Sequence, residues 1–112
     1  MSHFNGMPAN FVLSPSALAE IERIRQLYLK QWPSDPPVIP WIGWGTTTMN
    51  SGVTSDGVVV GFYRRSESQA VAQGVETVSG LALLFFITAE NYGRFAGKVL
   101  DHRPESSFVL RD

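Results

Sequence analysis

The two histidines are the side chains of this sequence best suited to acid–base or metal chemistry near neutral pH. His102 follows Leu100-Asp101, but His3 lies in the N-terminal segment and does not support a shared metal site. A half-exposed histidine at a strand end is the simpler interpretation of His102. No acidic pair has the spacing of a glycosidase, and no G-x-S-x-G, phosphate-loop or H-E-x-x-H motif occurs. We therefore predict no catalytic residue and no metal, and we expect that the protein is not an enzyme.

A stretch of small polar residues, Thr46–Gly57, is predicted to form a long loop. Loops carry binding residues more often than the elements that they join, so this loop could hold a small molecule. The loop could equally be a simple connection between strands. Trp44, which precedes it, could be a core residue. The candidate ligand- or partner-binding residues are Trp44, Asn50, Ser51, Gly52 and His102.

The chain has 112 residues and no cysteine. This excludes disulfides, cysteine nucleophiles and thiolate ligands for metals or iron–sulfur clusters. The net charge of −1 predicts no nucleic-acid partner and no binding to an anionic membrane. The N-terminus has neither the basic region nor the apolar core of a signal peptide, and no run approaches the roughly 20 apolar residues of a membrane span. We predict a cytoplasmic protein without a cofactor.

A long helix is predicted over residues 15–32. Ser14 is a favourable N-cap, and Pro15 suits the first helical position. Apolar residues recur three and four positions apart, which predicts one buried stripe. That stripe consists of Leu18, Ile21, Ile24, either Leu27 or Tyr28, and Trp32.

The run Leu81–Ile87 is apolar at both odd and even positions. A strand with this pattern is covered on both faces, so we predict a central strand here. A short helix should follow, capped by Thr88 and stopped at Gly97.

The remaining pattern is mostly that of strands. Pro40 lies in a predicted strand at 38–45, which places that strand at a sheet edge or predicts a bulge in it. Asp56-Gly57 is typical of a hairpin turn and precedes a predicted strand at 58–63. Shorter strands are predicted at 11–13, 75–78, 98–101 and 107–110.

The element order indicates a mainly β, or β-rich α+β, fold, with antiparallel or mixed sheets, one long N-terminal helix and one short helix. The chain length indicates one domain, with residues 1–10 as a flexible tail and residues 11–112 as the folded part.

Two segments resemble the HesB-like, or A-type, iron–sulfur cluster carrier proteins. The first is F-V-L-S-P-S-A-L-A-E-I-E-R-I, at residues 11–24, which resembles the family's opening strand and capped helix. The second is L-L-F-F-I-T-A-E-N-Y-G-R-F-A-G-K-V-L-D, at residues 83–101, which resembles its central strand, short helix, glycine and Leu-Asp pair. The resemblance implies a HesB-like fold.

The cysteines that hold the cluster in that family are absent from this chain. The family's Cys-Ser-Gly corresponds to Asn50-Ser51-Gly52, and its C-terminal Cys-Gly-Cys has no counterpart before Asp112. A neutral amide is a poor ligand for iron, which prefers thiolate here. We therefore expect a non-catalytic protein of HesB-like fold that acts through contacts with an unknown protein partner. The alternative is a small-ligand-binding module that uses the Trp44–Gly52 region.

Overall fold

Two β-sheets and one long helix make up the fold, which a computed structural model describes for residues 8–35, 37–48, 51–52, 54–67, 69, 74–104 and 107–112. In these residues the strands are β1 (Val12–Leu13), β2 (Pro37–Thr48), β3 (Thr54–Arg64), β4 (Val75–Val78), β5 (Leu81–Phe86), β6 (Val99–Arg103) and β7 (Ser107–Arg111). The helices are α1 (Pro15–Gln31), α2 (Ala89–Tyr92) and a 3₁₀ turn, Arg65–Glu67. The predicted β-rich α+β class is confirmed.

Helix α1 begins where the sequence predicts. Ser14 has extended backbone angles, and its Oγ accepts a hydrogen bond of 3.1 Å from the Ala17 backbone N–H. Ala17 and Ile21 are buried in the core, and Leu27 is 50 % exposed. The fourth stripe position was predicted to be either Leu27 or Tyr28. Tyr28 is the one that faces the protein, because its ring packs on Phe62.

The apolar run forms an inner strand, as predicted. In the described residues the larger sheet has the strand order β3-β2-β5-β4, so β5 has a hydrogen-bonded neighbour on each side. It runs parallel to β2 and antiparallel to β4. Leu83 and Leu84, which point to opposite faces, are both fully buried. Both faces of the sheet are therefore covered at this point.

The predicted loop at Thr46–Gly57 is wrong, because β2 continues to Thr48 and β3 already begins at Thr54. The Asp56-Gly57 turn is wrong for the same reason. Asp56 lies within β3 opposite Thr46, whose Oγ1 donates a hydrogen bond of 2.5 Å to Oδ1 of Asp56. Threonine favours extended backbone, and this cross-strand bond extends the hairpin beyond the apolar run.

Pro40 lies on an inner strand rather than at an edge. The sequence analysis gave a bulge as the alternative to an edge position. The register between β2 and β3 does shift between Pro37 and Ile39, just before this proline. Pairing of β2 with β5 then starts at Trp41. Pro40 itself pairs with Phe62 of β3 but precedes the ladder with β5, so its missing N–H takes no bond from that second ladder.

The smaller sheet has the order β1-β6-β7 in the described residues. Strand β1 is parallel to β6, and the Ser14 backbone N–H extends this pairing by donating to the Leu100 carbonyl at 2.9 Å. The short helix α2 ends at Tyr92, earlier than predicted, and its N-cap Thr88 makes no side-chain capping bond. Turns then continue to Gly97, whose φ of 70° is the left-handed conformation that favours glycine.

Residues 8–10 are hydrogen bonded to the folded part. The Ala9 N–H donates to Oε1 of Glu76 at 2.7 Å, and the amide of Asn10 donates to the Tyr92 carbonyl at 3.0 Å. The rest of the predicted tail, including His3, lies outside the described residues. Within the described part of the chain, no helix has both the length and the apolar character needed to cross a membrane.

Candidate functional site

Trp44 lies on β2, half-buried against the core. Its ring meets the fully buried Phe95 edge to face, with the two centroids 6.2 Å apart. The Arg94 guanidinium lies 4.9 Å from the Trp44 ring centroid on the turn after α2. These contacts hold the indole in place and give it a packing role.

Ser51 and Gly52 are exposed and lie between β2 and β3. Gly52 has a φ of 85°, a conformation that glycine adopts without strain. The candidate beside them, Asn50, lies outside the described residues. Four strand residues separate Trp44 from the end of β2, which is about 13 Å at the usual rise per residue.

His102 lies on β6, in the other sheet. Its ring packs on Phe108 with centroids 5.2 Å apart, and its Nε2 is 3.7 Å from Oε2 of Glu20 on α1. The side chain is 19 % exposed. The structure therefore places His102 and Trp44 on different sheets and does not gather the described candidates into one site. Across the described residues, no three His, Asp or Glu side chains come close enough to hold a metal ion together.

Asp101 is the centre of a polar cluster that sequence reasoning missed. Its Oδ1 accepts hydrogen bonds from Ser14 Oγ at 2.6 Å, Ser16 Oγ at 2.8 Å and the His102 backbone N–H at 2.9 Å. Its Oδ2 accepts from Nε of Arg111 at 2.9 Å. Donation by the two serine hydroxyls, and then by Arg111 and the His102 amide, holds the pKa of Asp101 well below its usual range. The only sequence signal was the Leu100-Asp101 pair, noted for its family resemblance.

The Asp101 cluster is built for stability rather than for nucleophilic chemistry. A serine nucleophile needs a base that accepts its proton, and a carboxylate with so low a pKa is a weak base. The same carboxylate lies at the N-terminal end of α1, where negative charge is favourable. It therefore joins the helix start to β6 and β7.

A groove of about 300 Å³ lies between α1 and β3. Helix α1 contributes aromatic and aliphatic side chains, and β3 contributes apolar residues followed by an arginine. The lining includes Ile24, Tyr28 and Trp32 from the helix side and Val60, Phe62 and Arg64 from the strand. This volume is at the lower end of the range found for small-molecule sites.

The polar rim of this groove is formed by Arg64 and Trp32. The guanidinium carbon of Arg64 lies 5.4 Å from the Trp32 ring centroid, and Trp32 is 37 % exposed. The sequence pattern had placed Trp32 in the buried stripe and Arg64 just after the predicted strand at 58–63. Arg64 instead ends β3, and Trp32 follows the last residue of α1. The signal that could have revealed the groove is an aromatic pair, Tyr28 and Trp32, one helical turn apart at the end of a helix.

Comparisons with protein-family models, with curated proteins and with solved structures find no match for this chain. The resemblance to the HesB-like proteins therefore stays a prediction.

Proposed function

We propose that this protein is a non-catalytic binding module that acts through contacts with another protein chain. The observation that carries the proposal is the outer edge of β3, which has no ladder partner among the described residues. Strand β3 is the last strand of the larger sheet and pairs only with β2 among the described residues. Its outward N–H and C=O groups are a template for one more strand.

The composition of β3 suits strand addition. The segment Gly57–Tyr63 is uncharged and contains three successive valines and two aromatic residues. Protected edge strands usually carry lysine, proline or an inward charge, and this segment carries none of them. Strand β7 of the other sheet approaches β3 without forming a ladder with it.

The charges of β3 favour an antiparallel partner with the same pattern. Asp56 and Arg64 are its two charged residues. Antiparallel pairing of two copies centred on Val60 places Asp56 of each strand opposite Arg64 of the other. Opposite charges across a strand pair are favourable, and a two-fold interface presents the same residues twice. A second copy of this chain is therefore the partner to test first.

Hydrogen exchange and sedimentation together test the free edge. In the monomer, amides of β3 should exchange fast and slowly in alternation, because every second N–H points away from β2. Sedimentation at rising protein concentration should reveal reversible dimers. Val59→Lys on β3 should weaken them, and Thr77→Lys, which adds the same charge to an exposed position of β4, should not. Uniformly protected β3 amides in a protein that stays monomeric would rule out this use of the edge.

We also propose that the fold is a HesB-like one that has lost its cluster site. The order of β1, the Ser14-capped α1, the inner strand β5, a short helix, Gly97 and β6 with Leu100-Asp101 supports this proposal. A chain without thiolates should stay colourless after anaerobic incubation with iron and sulfide and should retain no stoichiometric iron after desalting. A stable brown protein would contradict it. The cytoplasmic location stays a prediction.

The Trp44–Gly52 region has less support as a small-ligand site. Trp44 is engaged by Phe95 and Arg94, and the exposed turn lies at the far end of the hairpin. A ligand that contacted both would have to extend past the last four residues of β2, a distance of about 13 Å.

A further inference from the structure

The groove between α1 and β3 combines flat apolar walls with a single cationic group. Tyr28 is its central wall, because its ring lies 5.3 Å from that of Trp32 and 5.7 Å, edge to face, from that of Phe62. Ile24 and Val60 extend the apolar surface. A wall of this kind favours a planar apolar molecule, since aromatic rings pack well face to edge or offset.

The Arg64 guanidinium at the rim is available to a ligand. Among the described residues its side chain lies over the Trp32 ring, and its charge also acts on the carboxylate of Asp35, whose pKa is lowered by hydrogen bonds from Ser66 and further by this charge. The carboxylates of Asp35 and Glu67 accept hydrogen bonds from groups other than this guanidinium. Both oxygens of Asp35 are bonded to Ser66, by its N–H and its Oγ at 2.8 Å each, and Oε1 of Glu67 accepts from the backbone N–H of Arg64.

The Tyr28 hydroxyl provides a second polar group beside the same wall. Among the described residues no hydrogen bond to this hydroxyl is found, and the side chain is half-buried. A hydroxyl in that position can donate to one oxygen of an anion. Arginine binds a carboxylate through two parallel N–H donors, and it stacks on aromatic rings at the same time.

We propose that this groove binds a small aromatic carboxylate. The aromatic body lies against Tyr28 and Phe62, and the carboxylate meets Arg64 at the rim. The volume of about 300 Å³ fits a molecule of one or two fused rings rather than a longer chain. The site does not require the proposed protein partner, but it shares Arg64 with the charge pair proposed for the β3 edge.

The test uses naphthalene-2-carboxylate as the probe, with naphthalene-2-carboxamide as its uncharged match. Calorimetry measures the affinity, and NMR shift changes at Tyr28 and Phe62 locate the site. Arg64→Met keeps an apolar side chain of similar length and removes the charge. Arg65→Met makes the same change at the next residue, which does not line the groove. Circular dichroism checks that both variants fold.

The carboxylate should bind saturably, with shift changes centred on Tyr28 and Phe62. Arg64→Met should weaken binding about ten-fold or more, as the loss of hydrogen bonds to a charged group does, and Arg65→Met should leave it unchanged. The carboxamide should bind the unaltered protein more weakly by a similar factor, a comparison that involves no mutation. Absence of saturable binding, equal effects of the two arginine variants, equal affinity of the two probes, or shift changes centred on Trp44 would each overturn the proposal.

Discussion

Ser14 Oγ lies 2.6 Å from Asp101 Oδ1, although the two residues are 87 positions apart in the chain. The same hydroxyl accepts the Ala17 N–H that starts α1, so one side chain both caps the helix and binds β6. A hydroxyl has one donor and two acceptor positions, and these two bonds use it in both capacities.

Loss of the Ser14 hydroxyl should destabilise the protein more than loss of the neighbouring hydroxyl. We expect Ser14→Ala to lower the free energy of unfolding by about 0.5–2 kcal/mol, the usual range for an N-cap. Ser16→Ala should have a smaller effect, because Ser16 is exposed and caps nothing. Urea titrations measure both, and equal losses would contradict the dual role of Ser14.

Aspartate should not replace Ser14, although it is normally a good N-cap. Its carboxylate would lie against that of Asp101, and like charges at hydrogen-bond distance repel. We expect Ser14→Asp to be less stable than Ser14→Ala at neutral pH and to recover in acid, where one carboxyl is protonated. A Ser14→Asp variant as stable as the original protein at neutral pH would show that the two groups are apart.

Stability should depend on pH through Asp101. Its pKa is lowered in the folded protein by the serine and arginine donors, so folding favours its ionised form. The stabilisation is therefore fully present above the unfolded pKa and is lost as the pH falls below about 4. Asp101→Asn should be less stable than the original protein at neutral pH, and the difference should shrink in acid. A difference that is constant with pH would rule out the ionised cluster.

Local signals predicted the elements but not the contacts between them. The cap and proline at the start of α1 and the two-sided apolar pattern of β5 are properties of short segments, and both elements were found. The Ser14–Asp101 bond joins α1 to a strand near the other end of the chain, and no local pattern contains it. Nor does any local pattern bring Tyr28 to Phe62.

The hairpin shows why the middle of the chain was misjudged. Asp-Gly is a frequent turn pair, but Asp56-Gly57 pairs with Thr46 and Gly45 within the ladder. Pairing with the neighbouring strand determined the strand length here, although the Asp-Gly dipeptide by itself favours a turn. Most of the described residues of the predicted loop at Thr46–Gly57 lie in strands, and of the candidate residues in that loop only Ser51 and Gly52 are described, between the two strands.

Gly61 and Gly57 on β3 should respond in opposite ways to alanine. The Trp41 indole lies over Gly61, and a Cβ there would overlap the ring, but nothing lies within 4 Å of a Cβ at Gly57. We expect Gly61→Ala to cost about 1–3 kcal/mol, as overpacking does, and Gly57→Ala to be neutral or slightly stabilising. Thermal melts of the two variants compare their stabilities directly. If Gly61→Ala caused no loss of stability, the Trp41 indole could not lie over Gly61.

The inner position of β5 predicts a large effect of core truncation. Leu83 is fully buried and belongs to the main core, whereas Ala82 beside it is exposed on the opposite face. Leu83→Ala should lower the free energy of unfolding by about 2–5 kcal/mol, because it removes buried methyl groups and leaves a cavity. Ala82→Ser is the matched control and should stay within about 0.5 kcal/mol, as surface changes usually do. Urea titrations measure both variants. A loss below about 1 kcal/mol for Leu83→Ala would contradict the position of β5 between β2 and β4 and its packing against the core.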